Sequence, residues 1–218
     1  MNLKILSLVI IGVCILLPDV CYAFLEKDVH LLNMQNGLAD NTVSAVYKDK
    51  EGFVWFGTRN GLSRYDGRQI TNFEQSNSYP SISNLKEVFD GVLAFVDNGV
   101  FSAFDLKKER FLSVVSSSEK RIPSWGMLQK NDSLVWVISG SELHLMKRCA
   151  SKEGELRLRV QEKYTGWDNQ DNLLVAITYS SDKKSICLID EKGRIILLDA
   201  TNLNSFRVID LGRTGSCL

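Results

Sequence analysis

The sequence is poor in the residues that would carry chemistry or break it into parts. Of 218 residues only two are histidine, His30 and His144, and only three are proline. The histidines are far apart and neither has neighbours that suggest catalysis or metal ligation. No P-loop, dinucleotide fingerprint or G-x-S-x-G elbow is present. Lys plus Arg equals Asp plus Glu at 26 each, so no basic surplus points to nucleic acid and no polybasic run to anionic lipid. The few prolines and the absence of a low-complexity tract leave no inter-domain linker visible. Helical amphipathic periodicity is nowhere convincing beyond residue 23. Cysteine is sparse too: after Cys14 and Cys21, only Cys149, Cys187 and Cys217 remain, an odd number without CxxC spacing. An oxidising compartment permits one disulfide among them, whose pairing the sequence leaves open. A zinc site needs four arranged donors, so no metal and no cofactor is expected.

The first 23 residues read as a targeting segment. Lys4 supplies a basic start, Ile5 to Leu17 is an uninterrupted apolar run, and Pro18 ends it. Cys21-Tyr22-Ala23 offers a small-x-small cleavage site before Phe24. The run has the length of a signal peptide core and is short for a membrane span. An uncleaved anchor is the competing reading; Cys21 also raises a lipoprotein, although Asp19 and Val20 suit a lipobox poorly. Residues 24–218 then form one soluble, exported, β-rich unit long enough for a sizeable core.

What the sequence does have is concentrated between Gly37 and Phe73. Val43 to Tyr47 alternates at period two, and Asp49-Lys50-Glu51-Gly52 supplies a turn. Phe53 to Thr58 is a second strand rich in aromatic and β-branched residues. Asn60-Gly61 is a strong hairpin signal, since both residues tolerate the positive φ of a type I′ turn. Leu62 to Tyr65, a turn at Asp66-Gly67, and Gln69 to Phe73 complete the set. Four antiparallel strands on tight turns form the meander that a β-propeller repeats about its axis.

The same residues, GLADNTVSAVYKDKEGFVWFGTRNGLSRYDG, closely resemble the propeller repeat of bacterial two-component regulators. The GL start, the D-GfiWfGT strand, the nGL turn and the rYDG finish are all present, dense over one repeat and faint elsewhere. The resemblance implies the periplasmic sensor part of a hybrid two-component system histidine kinase. Such propellers bind a small ligand, often an oligosaccharide from a degraded glycan. They signal by a shift between dimer arrangements, through a membrane helix, to a kinase inside the cell. Nothing in this chain supplies a kinase, receiver or DNA-binding module, so its own activity would be ligand binding or homodimer contact without chemistry. The rivals are a free-standing periplasmic binding or interaction propeller, a truncated fragment, and a propeller lyase. Two scattered histidines weigh against the lyase.

Weaker repeats follow. Trp55 recurs as Trp136 in Leu134 to Ile138, a shift of 136 − 55 = 81, or about 40 residues per blade. Between them, Gly91 to Val96 and Val100 to Asp105 flank Asn98-Gly99, in a repeat that has lost its tryptophan and its rYDG finish. A last repeat runs through Leu173 to Tyr179, Ser185 to Ile189, Arg194 to Leu198 and Phe206 to Ile209. The expected fold is therefore all-β, with four blades at about 31–73, 82–115, 122–165 and 172–210. Four blades can close a ring, but the resembled family commonly uses about seven, and residues 211–218 offer no closing strand. An incomplete ring cut from a longer sensor is the expectation.

Ligand-binding candidates are Trp55, whose indole could stack on a sugar, and Arg59, Arg64 and Tyr65, which could line a top-face pocket. Packing between blades is the competing role for Trp55. Holding the turn competes for the others, as for Asp66, whose carboxylate would bond local backbone. His144 reads as a face residue of its strand. The acid pairs Glu26/Asp28 and Asp168/Asp171 suit solvated surface, and Trp125 and Trp167 fit either blade seams or loops.

Overall fold

The computed structural model describes residues 31–74, 81–116, 122–167 and 172–210. The segment read as a signal peptide, His30, both acid pairs, Cys217 and the tail at 211–218 lie outside them. The described residues are all-β: four meanders of four strands each, arranged as the blades of a propeller arc. Blade 1 comprises β1 (Val43–Lys48), β2 (Val54–Thr58), β3 (Gly61–Tyr65) and β4 (Ile70–Phe73). Blade 2 comprises β5 (Ile82–Phe89), β6 (Val92–Asp97), β7 (Val100–Asp105) and β8 (Arg110–Ser116). Blade 3 comprises β9 (Gly126–Asn131), β10 (Leu134–Ser139), β11 (Glu142–Cys149) and β12 (Glu155–Tyr164). Blade 4 comprises β13 (Leu174–Tyr179), β14 (Ser185–Asp190), β15 (Ile195–Asp199) and β16 (Phe206–Ile209). The first strands of the blades succeed one another about the axis, β1 against β5, β5 against β9 and β9 against β13. Among the described residues, no comparable packing returns from β13 to β1.

Three apolar seams join the blades face to face. Trp55, Leu62, Ile82, Leu93, Phe95 and Phe104 fill the seam between blades 1 and 2. Val88, Phe89, Phe101, Val135, Val137, Met146 and Leu158 are among those filling the next. Trp136, Leu143, Leu145, Trp167, Leu174, Ile186 and Leu198 fill much of the last. Period-two alternation explains why the middle strands are almost wholly apolar, since both faces of an inner blade are covered. All six residues of Val92–Asp97 except the last are buried.

Two local features depart from the sequence expectation. The β2–β3 hairpin is centred on Arg59 and Asn60, because Thr58 pairs directly with Gly61. Only Gly61 has positive φ, at 115°; Asn60 does not, so the turn is not type I′. The Thr58 side chain holds this geometry, its hydroxyl accepting from the Asn60 N–H at 3.1 Å and donating to the Gly61 carbonyl at 2.9 Å. The I′ pattern does occur at β6–β7, where Asn98 and Gly99 have φ of 48° and 77°. The second departure is a fusion of sheets. The outer strands of blades 2 and 3 pair in parallel, Glu155 to Leu158 against Ser113 to Ser116, so the two meanders make one eight-stranded sheet. β12 offers β8 its free edge: Arg157 and Leu158 pair with β11 on one side and with β8 on the other, while Glu155 and Leu156 run past the end of β11. The pairing satisfies an outer edge that would otherwise present open N–H and C=O groups.

Turn aspartates recur at the end of the third strand in blades 1, 2 and 4. Asp66 accepts from the Arg68 and Gln69 N–H groups, Asp105 from Lys107 and Lys108, and Asp199 from Thr201 and Asn202. The bonds from Gln69 and Arg68 hold the Asp66 carboxyl below its ordinary pKa. Asp190, at the end of β14, is buried and accepts from Arg194 through both backbone and guanidinium, at 2.9 and 2.7 Å. Burial pushes its pKa up, but the bonds from Arg194 outweigh that and leave it lowered.

Two predictions follow from this packing. Gly57 has no unusual φ; its small size is needed because an added Cβ would lie 2.7 Å from Ile82 Cγ2 and 2.8 Å from the Ile82 carbonyl. Gly57→Ala should force blades 1 and 2 apart and lower stability by about 1–3 kcal/mol, read from the midpoint of urea unfolding. For Asp190, a depressed folded pKa contributes stability above the unfolded value and loses it as pH falls through the folded one. Stability should therefore decline below about pH 4, the ordinary carboxylate range. Asp190→Asn, weaker at neutral pH, should show a shallower decline in the same urea series.

Candidate functional site

The odd-to-even turns of blades 1 and 2 meet over their shared seam and leave a cleft of about 400 Å³. Its walls are Asp49, Lys50 and Glu51 from the β1–β2 turn, Phe53, Trp55 and Arg64 from blade 1, and Gly91, Leu106, Lys107 and Glu109 from blade 2. Asp49 organises the blade 1 side. Its Oδ1 accepts from the N–H groups of Glu51 and Phe53 at 3.0 and 2.9 Å, and its Oδ2 accepts from the Trp55 indole at 2.8 Å. One carboxylate thus closes the turn and satisfies the only polar atom of a tryptophan that is 1% exposed.

Arg64 closes the other side. Strand pairing sets it opposite Trp55. Its guanidinium carbon lies 4.7 Å from the Phe53 ring centre and 5.6 Å from those of Trp55 and Phe73. Its Nη1 reaches Glu109 Oε1 of blade 2 at 2.5 Å. A cation set among aromatic rings and bonded across the seam is held with little rotamer freedom. The rim is charged: Lys50 bonds Asp90 and lies 3.6 Å from Glu87, while Lys107 lies 3.3 Å from Asp90. The bond from Lys50 and then that from Lys107 hold the Asp90 carboxyl below its ordinary range. Tyr47, beside this rim, is pushed up by burial and then by the Glu87 charge. The cleft thus sets one partly exposed phenyl ring, Phe53, beside a fixed guanidinium within a charged rim.

Of the four candidates, Trp55 and Arg64 are brought together here. Trp55 presents no free face, because Phe73 stacks on it at 5.6 Å and Phe104 meets it edge-on at 5.5 Å. Phe53, partly exposed, is the aromatic ring nearer solvent. Arg59 is elsewhere: it is exposed in the β2–β3 hairpin and lines a separate cleft with Asp40, Asn60 and Ser81 at the opposite end of the blade. Tyr65 follows Arg64 by one residue, so the pleat turns it to the other face of blade 1, paired with Val54 and Ile70 and away from the seam. Sequence reasoning missed Phe53, Lys107 and Glu109 as wall residues. The D-x-x-x-F spacing of Asp49 and Phe53 could have flagged the first. Lys107 and Glu109 come from the degenerate second repeat and carry no sequence signal.

The face of β11 that carries His144 is covered. The histidine is 3% exposed, with Nε2 at 2.6 Å from Glu142 Oε2. Glu142 also lies 3.3 Å from Lys163, and the bond from His144 holds its carboxyl below the ordinary range. At the shift of 81, Asp49 becomes Lys130, so Trp136 has a cation over its ring at 4.8 Å where Trp55 has a carboxylate on its nitrogen. Trp167 fills the seam of blades 3 and 4 and donates to the Ser141 carbonyl at 2.9 Å, whereas Trp125 is half exposed on the approach to β9. Cys149 and Cys187 are free thiols. Among the described residues, no group of three or more His, Cys, Asp or Glu side chains is arranged to hold a metal ion.

Residues 37–60, the turn and strands that build the blade 1 wall, match the family model of the two component regulator propeller. No curated relative matches the sequence. Among solved structures, the chain is similar to the extracellular domain of a hybrid two component system from B. thetaiotaomicron, with TM-score 0.63 and 17% identity over 84% of this chain. It is also similar to the extracellular domain of a one component system from the same organism, with TM-score 0.64 and 15% identity over 86%. The chain spans 24% and 28% of the lengths of those two domains. Virginiamycin B lyase from Staphylococcus aureus has TM-score 0.58 and 11% identity over 81% of this chain and 58% of its own. The fold is thus that of a β-propeller, and its first blade carries a two component regulator propeller repeat.

Removing the Asp49 carboxylate should expose how much the site's frame depends on it. Asp49→Ala leaves the buried Trp55 indole and two turn N–H groups without their acceptor, at a cost of about 3 kcal/mol in urea unfolding. Phe53→Ala, partly exposed, should cost less than half as much.

Proposed function

We propose that this chain is a ligand-sensing propeller segment of an extracytoplasmic two-component sensor, and that it takes a glycan-derived oligosaccharide in the cleft between blades 1 and 2. The cleft carries the reading: a solvent-facing phenyl ring, Phe53, beside a guanidinium fixed by Glu109, within a rim of charged groups. Sugars are bound by aromatic contact on their C–H faces and hydrogen bonds to their hydroxyls, and both kinds of group converge here. The match over residues 37–60 and the likeness to extracellular domains support a place outside the cytoplasm, in the periplasm. The role is binding without catalysis, with phosphotransfer left to a histidine kinase that these residues do not contain. The cleft spans two blades, so a ligand that touches both favours one relative placement of them. A homodimer would read out that placement as a shift between two arrangements.

Titration with a panel of short glycan oligosaccharides, followed by tryptophan fluorescence and calorimetry, tests this. At least one should bind saturably, and Arg64→Ala should weaken it about tenfold, or 1.4 kcal/mol. Arg59→Ala and Tyr65→Phe, distant from the cleft, should leave the affinity unchanged. No saturable binding across the panel would refute the sugar reading. Binding that is indifferent to Arg64 would refute the placement.

A further inference from the structure

A second cleft, of about 290 Å³, lies over the seam of blades 2 and 3, directly above the parallel pairing of β8 with β12. The β5–β6 turn, the β7–β8 turn and the β11–β12 loop surround it. Its lining has five cationic side chains and four carboxylates; Asp90, Asp105 and Glu153 are bonded within the lining or its rim, while the buried Glu155 Oε2 has no hydrogen-bond partner among the described residues. Asp90 is held by Lys50 and by Lys107, and Glu153 by Lys108 at 2.7 Å and Arg110 at 3.2 Å. Asp105 accepts the N–H groups of Lys107 and Lys108, each at 3.0 Å. Glu155 has Arg157 at 3.5 Å, outside the cleft.

Two cations are left over. Among the described residues Arg148 has no carboxylate partner; its guanidinium lies over the Phe89 ring, 5.4 Å from the ring centre, which fixes its direction and leaves its N–H groups to a ligand. Lys152, in the loop opposite, has no carboxylate partner among the described residues either. Arg110, also in the lining, is held by Glu153 through its Nη2 at 3.2 Å. The lowered pKa of Glu153, set first by the Lys108 bond, reflects the same cationic surroundings.

We infer that this cleft is an oxyanion site, in which Arg148 and Lys152 bind a carboxylate or sulfate group of a small ligand. An oxyanion supplies what the cleft lacks: negative charge for two free cations and acceptors for guanidinium N–H groups, which match planar or tetrahedral oxygens well. The site is separate from the aromatic cleft between blades 1 and 2, although both touch Gly91 and Lys107.

The test uses the full chain, ¹⁵N-labelled, with amide signals of residues 148–156 followed by NMR. Sodium sulfate and sodium acetate are titrated separately against sodium chloride at matched ionic strength. Saturable shifts of these signals with either oxyanion, absent with chloride, are expected. A stronger response to sulfate assigns a tetrahedral group and a stronger response to acetate a carboxylate. The Arg148→Ala/Lys152→Ala double variant should bind at least tenfold more weakly, with unchanged circular dichroism and unfolding midpoint in chloride. Arg148→Lys should retain part of the affinity. Equal shifts with all three salts, or oxyanion binding that survives in the double variant, would overturn the proposal.

Discussion

Every part of this molecule depends on apolar sheets packed face to face. A four-stranded meander alone has two faces and little to bury between them; set against the next, it buries one face of each. The seams are correspondingly tight. At the first of them, Gly57 approaches the Ile82 backbone so closely that a single methyl group has no room. Ser44, in the same place, donates to the carbonyls of both Gly57 and Ile82, so the contact that forbids a side chain also carries a polar tie between blades. The candidate ligand cleft sits where this seam opens toward solvent, and its walls inherit their precision from the packing beneath.

Much of the fold was legible because the information is local. Period-two alternation and turn residues specify a strand and its ends within a few positions, and blade 1 has both in abundance. Val43, Trp55, Leu62 and Phe73 could each be assigned to a strand from their neighbours alone. The β8–β12 pairing was not legible, since it joins residues such as Ser113 and Glu155 that have no sequence relation and depends on β12 being long. The site was legible only on one side. Trp55 and Arg64 announce themselves within a dense repeat, but their cross-seam partner Glu109 belongs to a repeat whose signature has eroded. Tyr65 shows a different limit: adjacency in sequence suggested a shared pocket, whereas the pleat guarantees opposite faces.

The two tryptophans one repeat apart show how one scaffold position can be served by different physics. Trp55 has its indole nitrogen satisfied by Asp49, which also ties down the preceding turn. Trp136 is equally buried, yet the equivalent residue is Lys130, whose ammonium lies over the ring instead. The packing role survives the exchange; the turn-locking role does not. In blade 3 the turn is held from the next position instead, where Asn131 accepts from the Ser133 N–H at 3.0 Å.

The parallel pairing of β8 with β12 also has a consequence for how the chain assembles. Blades 1 and 4 are each completed by neighbours in sequence, strand after hairpin-linked strand. Blades 2 and 3 join at their outer margins only when Ser113 finds Glu155, across a closed loop of some forty residues, and loop closure of that length carries an entropic cost before any pairing offsets it. Once formed, the eight strands enclose the largest of the three apolar seams from both its inner and outer margins, β5 against β9 and β8 bonded to β12. Among the described residues, the middle of the arc is therefore tied at both margins, whereas each end blade packs against it through a single apolar seam.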